Sequence, residues 1–438
     1  MQHYRIIYFD HMQFIKIYLK YLALTQIFVL LFTILYAQNE KELFFKDHVY
    51  EKNIRSVLFF PAQGLTGNPL LPAVLPINQD NPLILKFDEV NTEEADRYMV
   101  KILHCNANWT SSGLKDLEFL NEYNEFSIDE FDFSMATKVH YTHFTYIVPK
   151  VKLSGNYLLL VYRNYNEKDI IITRRFMVYA NSLNIKSQVG MSASVSERLV
   201  NQQIEFTIDY SNMFISNPLL DIKVVIRQNH RWDNAIYNLR PTMVREDINQ
   251  LVYRNFDLKN NFRAGNEFRF FDMRSLRYSG QNIEKIIRHE NGFDVFLYID
   301  KSRRTQPYTI IDDLNGGYFI QNKETADVHL ESDYGRVNFF LEMPEKMTEP
   351  VYLAGKLTDW SYSDENKMRY LENSGLYTCN LLLKEGLYDY CYQVPNNQND
   401  TNILEGNHIE TRNEYEIIVY YKDPSINSDM ILGYKRMY

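Results

Sequence analysis

"QQIEFTIDY", residues 202–210, is the stretch that decides the fold class. Ile204, Phe206 and Ile208 point one way and Glu205, Thr207 and Asp209 the other, the two-residue period of an antiparallel strand with one buried face. Stretches of the same character follow it: "DIKVVIRQNHRW" (221–232), "NQLVYRNFDL" (249–258), "NEFRFFDMRSLRY" (266–278), "FDVFLYID" (293–300) and "GGYFIQ" (316–321). Upstream lie "IRSVLFF" (54–60), "PLILKFDEV" (82–90), "RYMVKILHC" (97–105), "VHYTHFTYIV" (139–148), "NYLLLVYRN" (156–164) and "IITRRFMVY" (171–179). Short apolar or alternating runs separated by "SSG", "LSGN" and "NYNEKD" are strands joined by turn chemistry. "LKDLEFLNEYNEFSIDEFDFS" (114–134) interrupts the series; its first part, Leu114 to Leu120, reads as one or two helical turns and the rest as an ordered loop.

A third series, "GRVNFFLEM", "EPVYLAGKL", "LYTCNLLLK", "YDYCYQV" and "EYEIIVYYK", begins near Asp327. The 438 residues contain 34 Tyr and 27 Phe against 16 Gly, a composition suited to half-buried pleated surfaces. The expectation is an all-β chain of three consecutive immunoglobulin-like or early-set β-sandwich modules, at residues 38–183, 184–326 and 327–438. "DDLNGG" (312–317) places Asn315-Gly316 as a hairpin turn and lacks the ligand spacing of a calcium loop.

Residues 1–37 have the order of a secretory signal peptide: Lys16 and Lys20, then the apolar "LALTQIFVLLFTILYA" ending at Ala37, then "QNEKE". An uncleaved anchor is the alternative, although the run is short beside the about 20 apolar residues of a bilayer span. Met12 is an alternative start to Met1. Cleavage would remove Arg5, Lys16, Lys20 and Asp10 and take the net charge from −9 to −11. Such an acidic chain is not a general nucleic-acid or anionic-membrane binder, which would need clustered Lys and Arg. No later run is apolar for long enough to span a membrane.

Candidates for chemistry are few. In "HCNANWTSSGL" (104–114), His104 and Cys105 are strand neighbours whose side chains point to opposite faces, so they cannot form a nucleophilic dyad with each other. "NWT" matches a glycosylation sequon, and Trp109 is expected to pack over the first sandwich. His140 and His143 also face opposite ways and make a poor metal pair. Cys379 and Cys391 either bridge neighbouring strands or remain two buried thiols. No phosphate loop, nucleophile elbow or zinc-protease motif occurs, so no catalytic residue, cofactor or metal is assigned.

"VYLAGKLTDWSYSDENKMRY" with "GLYTCNLLLKEGLYDYCYQV" resembles the early-set modules beside glycogen-branching enzymes. That resemblance implies a sugar platform at Trp360 with Tyr362 as a second ring, or the same sandwich with no sugar bound. A second resemblance spans most of the chain. "HCNANWTSSGL", "SIDEFDFSMATKVHYTHF", "LSGNYLLLVY" with "RRFMVY", "NEFRFFDMRSLRYSGQNIE", and "EGNHIETRNEYEIIVYY" with "ILGY" together resemble the plug proteins of the type IX secretion system of Bacteroidetes. It implies an exported, non-catalytic periplasmic protein. Such a plug would sit peripherally at the outer membrane, as a monomer within the complex, closing the SprA-type giant β-barrel translocon between transport events.

Arg269, Asp272, Arg274 and Arg277 in "FRFFDMRSLRY" are dense in charge for an acidic chain. They are candidates either for the contact with that barrel or for an internal salt-bridge network. A periplasmic carbohydrate-binding protein is the alternative function. A surface adhesin would instead carry a sorting module after the last domain, whereas the sequence stops at "ILGYKRMY".

Overall fold

The computed structural model describes residues 20–22, 25–26, 40–63, 66–92, 94–395 and 400–438. Most of the expected signal segment 1–37, including its cleavage position, lies outside the described residues. The described chain is almost entirely β, and its strands form three two-sheet sandwiches. No helix among the described residues is long and apolar enough to cross a membrane.

The first sandwich packs the sheet carrying Asn166–Tyr179, Gly155–Arg163 and Tyr98–Cys105 against the sheet carrying Ile54–Gln63, Leu83–Val90 and Tyr141–Ile147. At its centre Phe87 stacks on Phe144 and Tyr98 meets both edge to face, all within 5.4 Å. Leu114–Leu120 supplies a single helical turn, Asp116–Phe119, as expected. The expected loop after it contains two short strands, Phe126–Ser127 beside Tyr98–Cys105 and Glu130–Phe133 on the edge of the second sheet. In Ile54–Gln63 the register shifts between Arg55 and Leu58, where Ser56 has φ +50°. The bulge re-aims the strand, so Ile54 and Val57 enter the first core while Leu58 and Phe60 enter the core of the third sandwich.

"QQIEFTIDY" forms Asn201–Asp209 in the middle sandwich, with Ile204, Phe206 and Ile208 buried and Glu205, Thr207 and Asp209 half-buried. Its sheet also contains Asn184–Met191, Gln250–Tyr253 and Met243–Arg245. The facing sheet is Ile222–Gln228 beside Tyr415–Asp423 and Ser428–Met437. The last two strands of the chain therefore close the middle core, where Ile417 and Val419 meet Ile204 and Leu251.

This corrects the expected limits 184–326 and 327–438. Arg269–Asp272 and Tyr318–Ile320 pair with Gly386–Gln393, while Ile283–His289 and Gly292–Leu297 join the sheet of Tyr334–Glu342 and Leu376–Lys384. The third sandwich is thus built from about residue 265 to about residue 410 and interrupts the middle one. Alternation states which face of a strand is buried, but carries nothing about which strand it pairs with. The order of strands along the chain therefore does not fix the order of the modules.

Candidate functional site at the three-module junction

Neighbouring residues on a strand face opposite ways, and "TRRF" uses this to tie the first sandwich to both others. Arg174 Nη2 donates to Asp359 of the third sandwich at 2.8 Å, with the guanidinium almost wholly buried. Arg175 turns the other way, toward the middle sandwich, and lies 4.7 Å from the Trp109 ring and 5.6 Å from the Trp232 ring. The two indoles meet edge to face at 4.9 Å. Trp109 thus packs between the first and middle sandwiches rather than over the first alone, beside Cys105, Met177, Val225, Ile418 and Tyr420.

Arg227 completes the stack, 4.3 Å from Trp232 on the side of the middle sandwich. It stands directly opposite Glu416 in the strand register, and Nε and Nη2 reach that carboxylate at 2.5 and 2.8 Å. His230 and the Tyr434 hydroxyl bond the same carboxylate. Burial alone would raise the Glu416 pKa, but Arg227 and His230 hold it well below the usual carboxylate range. Arg231 projects toward the third sandwich, 3.8 Å from the Trp360 ring and paired with Asp233 at 2.5 Å. All three tryptophans of the chain therefore line one cavity of about 580 Å3 where the three sandwiches meet.

A second junction joins the first and third sandwiches directly. Asp88, 1% exposed, receives Lys384 Nζ at 2.7 Å, the Tyr334 hydroxyl at 2.6 Å and His143 Nδ1 at 2.6 Å. Lys384 also sits 3.8 Å over the Tyr141 ring, and His143 stacks on His329.

Residues 54–180, the first sandwich, match the family model described as type 9 secretion system plug protein 1st domain. A crystal structure of a hypothetical protein from Parabacteroides merdae ATCC 43184 superposes with a TM-score of 0.84 at 30% identity, covering 90% of this chain and 100% of that one. The chain belongs to the type 9 secretion system plug protein family. A structure of manganese lipoxygenase of Gaeumannomyces graminis with part of zonadhesin of Komagataella pastoris aligns over 89% of this chain and 95% of that one, at 6% identity. Its TM-score is 0.13. No curated protein matches the chain.

In this plug-family chain, of the residues singled out from sequence, Arg269 and Asp272 are buried, Arg274 and Trp360 half-buried, and Arg277 and Tyr362 exposed. Arg269 is buried and binds Glu405 at 3.0 Å and Asp300 at 2.8 Å, and Glu405 also takes Arg303 at 2.8 Å. Asp272 is buried between Arg274 at 2.7 Å and Lys323 at 3.0 Å. Three of the four charges thus brace the third sandwich, and Arg277, next to the exposed Tyr278, is the exposed member. Trp360 is half-buried, with Arg231 over its ring and Phe268 against its edge at 5.8 Å. Tyr362 spends its hydroxyl on Gln393 at 2.7 Å and its edge on Tyr352. Arg231 thus covers a face of the Trp360 ring, while Tyr362 remains 37% exposed.

His104 and Cys105 are both buried and face opposite ways, His104 against Tyr157 and Cys105 in the junction with the middle sandwich. Burial lowers the His104 pKa to about 4. His140 is exposed whereas His143 is buried on Asp88. Cys379 and Cys391 are free, as is Cys105, and burial pushes all three thiols up to about 12. Among the described residues no group of three His, Cys, Asp or Glu side chains is placed to hold a metal ion.

Sequence reasoning missed Arg175, Arg227, Asp88 and Lys384, which lie on unremarkable strands far apart in the chain, and Trp232, in the turn after Ile222–Gln228. A charge at an inward position of an apolar run, as in "IITRRFMVY" or "LLLKEG", was the available signal.

Asn315 and Gly316 adopt left-handed φ values of +53° and +78° in the expected turn. The turn is held by Asp389, whose Oδ2 accepts from Leu314 N at 2.5 Å and Gly316 N at 3.1 Å. Burial, aided by the Asp313 charge, raises Asp389 from 3.8 to about 8. The folded chain then holds a proton that the unfolded chain releases, so this carboxyl's contribution to stability is present below pH 4 and lost as pH rises toward 8. Asp389→Asn, which keeps an oxygen for both amides, should flatten that loss and be about 1–2 kcal/mol more stable than wild type at pH 8. Urea unfolding of both proteins at pH 5 and pH 8 measures it; an equal pH slope in the two would refute the assignment.

Proposed function

We propose that this chain docks on the periplasmic mouth of the SprA-type outer-membrane barrel and closes its pore between transport events. It acts by steric occlusion, without catalysis or a cofactor, as a peripheral, monomeric component of the complex. The observation that supports this reading is that the plug-domain sandwich is tied to both other sandwiches through buried charge and aromatic contacts, at Arg174 to Asp359, Asp88 to Lys384 and Trp109 to Trp232. A stopper for a pore wide enough to pass folded proteins must not open by hinge motion. Cross-bracing at separate points resists such motion better than linkers do. Arg277 and Tyr278 are the exposed candidates for contact with the barrel.

The test is affinity purification of the tagged protein from membranes, with permeability of a deletion strain measured beside it. Co-purification of a very large outer-membrane barrel and increased leakage on deletion are expected. Absence of the barrel together with unchanged leakage would overturn the reading. Arg277→Glu should lower barrel recovery without changing the unfolding midpoint.

A further inference from the structure

The cavity at the three-module junction has properties that bracing alone does not require. Six lysines and arginines but only three aspartates line its wall, in a chain whose net charge is −9. A concave, partly desolvated wall concentrates that positive potential. Arg227 and Arg231 have their own carboxylates in Glu416 and Asp233, while Arg174 shares Asp359 with Lys356, which lies 3.9 Å from it. Arg175 has none among the described residues.

The Arg175 Nε and Nη2 both donate to the Phe45 carbonyl, its flanks lie against Trp109 and Trp232, and Nη1 makes no hydrogen bond among the described residues. The nearby Asp47 uses an oxygen to accept from the Arg175 backbone amide at 2.7 Å, not from its guanidinium. Burial would raise the Asp47 pKa, yet Lys356, Arg174 and Arg175 bring it below its ordinary value, so three cations face this single carboxylate.

The backbone around the cavity is also strained. Trp109, His230 and Trp360 hold φ values of +62°, +59° and +54°, a region that bulky residues rarely enter. Backbone strain of this kind concentrates at ligand sites.

We propose that this cavity binds a small oxyanion, a phosphate or a carboxylate, through the Arg175 guanidinium, with Lys356 as a second cation and the three tryptophans as its walls. The size is suitable, since small-ligand pockets run from about 300 to about 1,000 Å3. Asp47 partly fills the role of the anion and competes with it. The proposal does not depend on the plug reading, because it concerns the isolated protein.

Titration calorimetry of the purified chain at fixed ionic strength, with inorganic phosphate in one arm and succinate in the other, tests it and separates the two sources. Binding of at least one anion is expected. Arg175→Gln should weaken it about tenfold, the scale of losing one charge-assisted pair. Asp47→Asn keeps the acceptor for the Arg175 amide and removes the competing charge, so it should tighten binding about threefold. Lys356→Gln, at a half-exposed position, should weaken binding about threefold and serves if Arg175→Gln does not fold. Failure of both anions to bind the wild type, or unchanged affinity in the Asp47→Asn and Lys356→Gln proteins, overturns the proposal.

Discussion

A chain ending at residue 410 should keep the first and third sandwiches folded and lose the middle one. The deletion removes Tyr415–Asp423 and Ser428–Met437, two of the three strands facing "QQIEFTIDY". Ile204, Phe206, Ile208 and Leu251 would then line an open half-sandwich. The third sandwich keeps all its strands, which run from Arg269–Asp272 to Gly386–Gln393, and loses only the contacts of Thr411 and Arg412 at its edge. The expected cost is the whole stability of the middle unit, at least about 5 kcal/mol. Limited proteolysis with mass spectrometry should find new cleavage within residues 184–264 and protection elsewhere. If cleavage falls instead within residues 327–410, the interrupted arrangement is wrong. Glu416→Ala tests the same closure with one residue. Arg227, 3% exposed, would lose its carboxylate, at a cost of about 3–5 kcal/mol.

Asp88→Ala should weaken the junction of the first sandwich with the third and cost about 3–5 kcal/mol, because it leaves Lys384, 2% exposed, charged and unpaired. The loss should be recovered in large part in the Asp88→Leu, Lys384→Met double variant, since the pair is expensive to break but not to replace by apolar groups. Chemical denaturation of the two single variants and the double measures the coupling, and additive losses would refute it.

The same pair predicts an acid limit. Burial would raise the Asp88 pKa, but Lys384 and His143 bring it from 3.8 to about 2. A lowered carboxyl pKa contributes stability that is present above pH 4 and lost as pH falls toward 2. Asp88 accounts for about 2 kcal/mol of it. Glu405, brought to about 2 by Arg269 and Arg303 against its burial, adds to the loss in the same window within the third sandwich. Acid unfolding should therefore begin below pH 4, and Asp88→Leu, Lys384→Met should shift its onset to lower pH.

The fold class was legible because it rests on a local property. A strand with one wet and one dry face must alternate, so "QQIEFTIDY" and its neighbours could be read without knowledge of their partners. The mutual exclusion of His104 from Cys105 and of His140 from His143 came from the same period. The role of "FRFFDMRSLRY" was open between an interface and an internal brace, because a charge on a strand looks alike whether it faces a partner chain or Glu405.

By itself, then, the sequence determined that the chain is β, that it forms sandwiches, and that its chemistry-bearing residues do not form a dyad. Only the tertiary structure decided that the last two strands return to the middle sandwich across about 150 intervening residues. The ionic and aromatic junctions at Asp88, Arg175 and Arg227 were likewise decided in three dimensions. The physical reason is common to both. Burial of a face is encoded within a few residues, whereas the choice of partner depends on contacts between segments far apart in the chain, which no local pattern records.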